Sequence, residues 1–117
     1  MSILLTLLSV HFVADFVLQS DWMAQNKSKR WDVLAAHVGV YTLAFLPAVL
    51  YWWGNSPTAL HFLVVTFVLH FVTDAITSRV NSCLWAAKRV HAFFVGIGVD
   101  QLSHAYALAA TYWMVMR

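Results

Sequence analysis

Four long apolar stretches, separated by short polar connections, dominate the pattern of the chain. They cover about residues 2–19, 33–53, 58–78 and 90–116. A helix needs about 20 apolar residues to cross a bilayer, so each stretch is long enough for one span. Asp32 is placed to cap the second helix, and Ser56 with Pro57 suits the start of the third. The pattern predicts four membrane-spanning helices.

The connections predict how these helices are oriented. Segments 20–31 and 79–89 are polar with a few aromatic residues, and each is typical of a short amphipathic helix on a membrane surface. Basic residues concentrate in the first and third connections, and the second has none. By the positive-inside rule, these two connections face the cytoplasm and both termini lie outside, in an inner (plasma) membrane. The basic residues are Lys27, Lys29, Arg30, Arg79, Lys88 and Arg89.

Composition supports the membrane interpretation and excludes several classes of protein. Hydrophobic residues make up 62% of the 117 positions and charged residues only 10%, whereas soluble domains are closer to half and a quarter. A soluble domain and a disordered chain are therefore both excluded. The net charge of +2 is too small to indicate nucleic-acid binding. We expect one all-α transmembrane domain over residues 1–117, a four-helix bundle.

An internal repeat divides the chain into two similar halves. His11-Phe12-Val13-Ala14-Asp15 recurs as His70-Phe71-Val72-Thr73-Asp74, displaced by 59 residues. Lys29-Arg30 and Lys88-Arg89 match at the same displacement. The repeat predicts two tandem helical hairpins related by a pseudo-two-fold axis along the membrane normal.

Polar residues inside the apolar stretches are the candidate functional residues. Three aspartates lie there, and each has a histidine four residues away, on the same helix face. An aspartate at the centre of a span costs about 2.5–3.5 kcal/mol, so all three should face the bundle interior and find partners. The pairs are His11 with Asp15, His70 with Asp74, and Asp100 with His104.

The order of the residues within each pair predicts a common geometry. Histidine precedes aspartate in the first and third spans and follows it in the fourth, which runs in the opposite direction. All three aspartates should therefore lie nearer the cytoplasm, with the histidines one turn deeper. His37 falls in the same half of the second span.

Imidazoles and carboxylates that converge in an apolar interior indicate a metal site. This donor set suits Zn, Mn or Fe. The predicted ligands are His11, Asp15, His37, His70, Asp74, Asp100 and His104. Seven donors exceed the four of a tetrahedral zinc site. The additional donors could bind a second metal, or Asp15, Asp74 and Asp100 could include a catalytic base. Gln19 and Gln101 are candidate outer partners of the ligands.

Membrane lipids are the expected partners. Five of the basic residues should attract anionic headgroups on the face where the cluster opens; they are Lys27, Lys29, Arg30, Lys88 and Arg89. A homo-oligomer is also compatible with this pattern.

The polar residues also resemble a known family. His11-Phe12-Val13-Ala14-Asp15-Phe16 with Gln19, His70 through Asp74 with Arg79, and Asp100-Gln101 with His104 are similar to the bacterial and phage membrane proteins grouped as domain of unknown function 3307. The resemblance covers essentially the whole chain and implies a small polytopic inner-membrane protein. A looser likeness to membrane-bound metal-dependent hydrolases rests on residue types and topology.

Three functions are compatible with the sequence. The first is an intramembrane metal site, with metal-dependent hydrolysis of a lipid or headgroup ester as the reaction if the protein is an enzyme. The second is a proton or metal-ion pathway through the bundle. The third is a non-catalytic membrane scaffold in which the His/Asp cluster clamps the helices together.

Overall fold

The computed structural model describes residues 2–117, which form an all-helical fold. Helix α1 spans Ile3–Phe12 and continues as a π-helical turn, Val13–Val17. Five further helices follow in chain order: α2 Asp21–Asn26, α3 Trp31–Ala44, α4 Leu46–Trp53, α5 Pro57–Ala86 and α6 Val90–Val115. Within residues 2–117 there is no strand, so the predicted all-α class is confirmed.

Serine hydroxyls cap three of the helices. Ser2 accepts from the N–H of Leu5, Ser20 from the N–H of Met23, and Ser56 from the N–H of Ala59. Each bond satisfies one of the backbone donors that a helix leaves unpaired at its start.

The predicted cap at Asp32 is wrong, because α3 begins one residue earlier, at Trp31. Asp32 therefore lies within the first helical turn. Its carboxylate forms an exposed ion pair with Arg30 at 2.6 Å.

Two of the predicted spans differ from simple straight helices. The second is interrupted at Phe45, between α3 and α4, because Pro47 supplies no N–H and its ring crowds the preceding turn. The third does not end near residue 78, since α5 continues to Ala86 without a break. Segment 79–89 is therefore mostly the end of α5, whereas segment 20–31 contains the separate helix α2.

The longest helices, α5 and α6, pack along each other, and α3 packs against α5. At one end of the bundle their contacts form an apolar core that includes Leu7, Phe45, Val49, Phe62 and Leu108. Further along, the interior is polar, because buried histidines and aspartates replace the apolar side chains.

The outward faces are apolar. Along α5, every fourth residue is a large aliphatic that is at least half exposed; the series is Leu60, Val64, Val68, Val72, Ile76 and Val80. Exposed apolar surface on this scale marks contact with another molecule or a membrane. Two helical segments, Trp31–Trp53 and Pro57–Ala86, are long and apolar enough to cross a bilayer, and Ile3–Val17 is a shorter apolar one.

The close approach of α5 and α6 predicts that two glycines of α6, Gly96 and Gly98, tolerate alanine differently. A Cβ atom on Gly96 would overlap the side chain of Asn81, whereas a Cβ on Gly98 meets nothing within 4 Å. Alanine gains up to about 1 kcal/mol of helix propensity over glycine at either site. We expect Gly96→Ala to be less stable than Gly98→Ala by about 1 kcal/mol, the lower end of the cost of overpacking, because the overlapping atoms are the end of the Asn81 side chain, which can rotate. Thermal unfolding in detergent checks this, and equal stability of the two variants would contradict it.

Candidate metal centre

The seven predicted site residues come together in the interior of the bundle. None is more than 7% exposed. They are contributed by α1 and its π-helical turn, α3, α5 and α6. Residues spread over 94 positions of the sequence thus form one buried cluster of imidazoles and carboxylates, made up of His11, Asp15, His37, His70, Asp74, Asp100 and His104.

Four of these residues place one donor atom each around a common point. The Nε2 atoms of His37 and His70 lie 3.3 Å apart. Asp15 Oδ1 is 3.1 Å from the first nitrogen and 3.6 Å from the second. Asp74 Oδ2 is 3.2 Å and 3.3 Å from the same two nitrogens. All four donor atoms lie within 4.8 Å of one another.

Asp74 has the largest number of partners. Besides the contacts of Oδ2 with His37 and His70, its Oδ1 lies 3.1 Å from His104 Nε2. The ammonium of Lys27 donates to Oδ2 at 2.9 Å, and the Lys27 side chain is only 15% exposed. Lys27, which we expected at lipid headgroups, therefore turns inward to pair with this carboxylate.

A second donor group adjoins the first and shares Asp15 with it. It comprises Asp15, Asp100 and His104, and His104 Nε2 is 3.2 Å from Asp100 Oδ1. The Gln101 amide nitrogen donates to both carboxylates, to Asp15 at 2.9 Å and to Asp100 at 3.1 Å. The Thr77 hydroxyl also donates to Asp100. Gln101 thus links the carboxylates of Asp15 and Asp100.

The first of the three predicted His/Asp pairs does not form. The two later pairs are in contact four residues apart, but His11 and Asp15 share no ion pair or hydrogen bond among the described residues. Asp15 lies within the π-helical turn Val13–Val17, which holds more residues per turn than an α-helix, so its side chain points in a different direction relative to His11. His11 Nδ1 bonds Tyr41 Oη at 2.8 Å and Nε2 bonds Gln101 at 2.7 Å. With both nitrogens engaged, His11 stands next to the donor groups and belongs to neither.

Sequence reasoning missed three residues that contact the cluster: Lys27, Tyr41 and Thr77. Tyr41 bonds His11, and its ring centroid lies 3.8 Å from that of His70. It follows His37 by four residues, and Thr77 follows Asp74 by three, so helical spacing from a known site residue could have identified both. No such signal exists for Lys27, which lies in an irregular turn after α2.

The other expected polar partners lie elsewhere. Gln19 has no bond to the cluster, and its buried Oε1 has no partner among residues 2–117. Lys29, Lys88 and Arg89 are exposed. The guanidinium of Arg79 lies 4.0 Å from the centre of the Trp31 ring, which links α5 to the start of α3.

His70 also faces a very small cavity on the side away from the carboxylates. Its Nδ1 and the hydroxyl of Thr66 are buried and have no hydrogen-bond partner among the residues described. Both residues line a cavity of about 10 Å³, the size that one water molecule needs. A water there would bond both atoms and orient the His70 ring, as outer partners of ligating histidines do.

The cluster separates two different environments. On one side lies the apolar core around Phe45 and Phe62. On the other side an open cavity of about 590 Å³ reaches Asp100, Thr77 and Lys27. Of the donor residues, Asp100 is the one that borders this cavity, and Lys27 separates Asp74 from it.

The contacts of Asp74 predict a large loss of stability when its charge is removed. Asp74→Asn would leave the ammonium of Lys27 buried without its carboxylate, and breaking a buried pair in this way costs about 3–5 kcal/mol. The matched control is Asp32→Asn, since Asp32 forms an exposed pair with Arg30 that is worth under about 1 kcal/mol. Thermal unfolding followed by circular dichroism would compare the two. Equal melting temperatures would contradict the prediction.

Comparison with known proteins identifies a family without an assigned activity. No curated protein and no solved structure matches the chain. These searches give no support to the looser likeness to metal-dependent hydrolases. A family model described as "Protein of unknown function (DUF3307)" matches residues 3–117, and the chain belongs to this family.

Proposed function

We propose that this protein binds a divalent metal ion between its helices, held by Asp15, His37, His70 and Asp74. The observation that carries the proposal is the spacing of the four donor atoms. A tetrahedral zinc ion with bonds of about 2.0–2.1 Å requires donors about 3.3–3.4 Å apart. Five of the six distances between the donors are 3.1–3.6 Å. The residues present therefore fit a metal without rearrangement of the helices.

The donor chemistry and the charge of the cluster support the same proposal. Two imidazole nitrogens and two carboxylate oxygens suit Zn, Mn or Fe. Three buried carboxylates and the ammonium of Lys27 leave two negative charges when the imidazoles are neutral. One divalent ion balances them. Two protonated imidazoles would give the same balance in a purely structural clamp, and metal analysis distinguishes the two cases.

The adjoining group supports a second metal position or a catalytic base. Asp15 belongs to both groups, and Asp74 contacts His37 and His70 through one oxygen and His104 through the other. Carboxylates shared in this way are typical of two-metal hydrolytic sites. Asp100 is the carboxylate that also borders the open cavity, which makes it our candidate for the base.

The distribution of side chains supports a location in an inner membrane. Apolar residues cover the outside of α5, while three aspartates and four histidines are buried, the reverse of a soluble protein. We propose four spans, with α1 and its π-helical turn as the shortest. The cavity side, which includes Lys29, faces the cytoplasm.

Metal-dependent hydrolysis of a lipid or headgroup ester is the reaction that we propose. A divalent metal supplies Lewis-acid activation of water and of the ester. Asp100 would take the proton of the attacking water, whose oxygen bonds the ester carbon or phosphorus while the leaving oxygen departs and is protonated. A continuous ion pathway has less support, because the apolar core around Phe45 and Phe62 occupies the other end of the bundle.

Elemental analysis of the purified protein tests the metal site. We expect at least one equivalent of Zn, Mn or Fe per chain. His37→Ala should lower metal affinity at least tenfold, since even outer partners of a ligand contribute 10–100-fold. His61→Ala is the matched control, because His61 is exposed and outside the cluster. Folded wild-type protein without stoichiometric metal, or a His37→Ala protein with unchanged metal affinity, would overturn the proposal.

A kinetic experiment tests the hydrolytic role. We expect the metal-loaded protein to release headgroups or fatty acids from bacterial lipid extract, and Asp100→Asn to slow this release about 10²–10⁴-fold, the usual contribution of a general base. Asp21→Asn, on the exposed face of α2, should react at the wild-type rate. An Asp100→Asn protein as active as wild type would exclude this base, and the absence of any hydrolysis would exclude the reaction.

A further inference from the structure

The open cavity beside the cluster has the features of a ligand site. It lies between segment 19–29 and the facing ends of α5 and α6, and its volume is about 590 Å³. Binding pockets for small molecules commonly have volumes of this order.

Polar side chains with unpaired atoms lie in one part of the cavity wall. Gln19 Oε1 and Ser78 Oγ are buried, have no hydrogen-bond partner among the described residues, and belong to residues of the cavity lining. Asn81, only 7% exposed, lines the same region. Because both atoms are closed to solvent, a small rotation of either side chain is needed to bring them to the cavity. A ligand with hydroxyl or phosphate groups would then supply the hydrogen-bond partner that they lack.

Another part of the cavity is apolar and aromatic. Trp85, Phe93 and Phe94 line it, and the rings of Trp85 and Phe93 lie 4.9 Å apart. Tryptophan at the end of a span is typical of the headgroup level of a bilayer. A ligand that fills both parts must therefore be amphiphilic.

The net charge of the cavity indicates which kind of amphiphilic ligand it would bind. With a divalent ion bound, the three carboxylates and Lys27 sum to zero, so Lys29 is the remaining charged group of the lining. Its side chain is exposed, and the nearby Arg30 is paired with Asp32. The cavity then carries one positive charge and suits one phosphate diester.

We propose that this cavity binds the headgroup of an anionic membrane phospholipid. Its phosphate lies near Lys29, its hydroxyl groups lie beside Gln19 and Ser78, and the first part of its chains packs on Trp85 and Phe93. The charge argument rests on the proposed function, because it includes the bound metal. Asp100 and Lys27 border both the cavity and the donor groups, so a headgroup held there adjoins the metal site.

Native mass spectrometry of the purified protein tests this site. The probes are phosphatidylglycerol, phosphatidylcholine and inorganic phosphate, each added to metal-loaded protein in detergent. We expect one phosphatidylglycerol per chain, bound at least tenfold more tightly than phosphatidylcholine and not displaced by millimolar inorganic phosphate. Equal binding of the two lipids would overturn the anionic headgroup, and displacement by phosphate would overturn the lipid in favour of a soluble phosphate ligand.

Two pairs of variants locate the binding. Lys29→Gln should abolish the preference for phosphatidylglycerol. Arg117→Gln, at an exposed basic residue outside the lining, should retain it. Ser78→Leu should fill the cavity and lower lipid affinity at least tenfold. Ser103→Leu is its control, because the Ser103 hydroxyl bonds its own helix and lies outside the cavity. Lipid binding that is unchanged in both Lys29→Gln and Ser78→Leu would overturn the proposal.

Metal content measured on the same samples separates this inference from the proposed function. Stoichiometric metal without lipid binding would overturn the cavity site alone. Lipid bound with wild-type selectivity to protein that holds no metal would support the cavity site and overturn the metal centre.

Discussion

The burial of one carboxylate determines much of this structure. Asp74 is almost inaccessible, and its two oxygens contact His37, His70, His104 and Lys27. These partners come from α3, α5, α6 and the turn after α2. A buried carboxylate without such partners would be strongly destabilising, so these parts of the chain must converge at this point. Their arrangement around Asp74 also places Asp15 in contact with His37 and Asp100 in contact with His104.

This polar interior has a consequence for the outer surface. Because the inward positions of α5 carry Thr66, His70 and Asp74, its aliphatic residues cover the outward faces. Such a surface is unfavourable in water and favourable in lipid. The buried cluster and the proposed membrane location are thus both explained by polar residues on the inside of α5 and aliphatic residues on its outside. An apolar core thus lies at one end of the cluster and an open cavity at the other.

Local irregularities decide details that helical periodicity alone misses. The spacing of His70 with Asp74 and of Asp100 with His104 predicts contacts that the structure contains, because both pairs lie in regular α-helix. The same spacing fails for His11 and Asp15, because Asp15 lies in a π-helical turn. Asp15 instead contacts His37 and His70 on two other helices. A π-helical turn has no evident signature in this sequence, so this failure could not be foreseen.

The sequence by itself determined the helical class, the regions of the main helices and the membership of the cluster. It could do so because apolar periodicity and the cost of charge in an apolar setting act on each helix separately. Only the tertiary structure decided which atoms meet. It turns Lys27 inward to Asp74, bonds Tyr41 to His11, and brings the donor atoms of Asp15, His37, His70 and Asp74 within 4.8 Å of one another. These contacts join distant segments, and their geometry depends on how the helices pack and bend rather than on the pattern within any one of them.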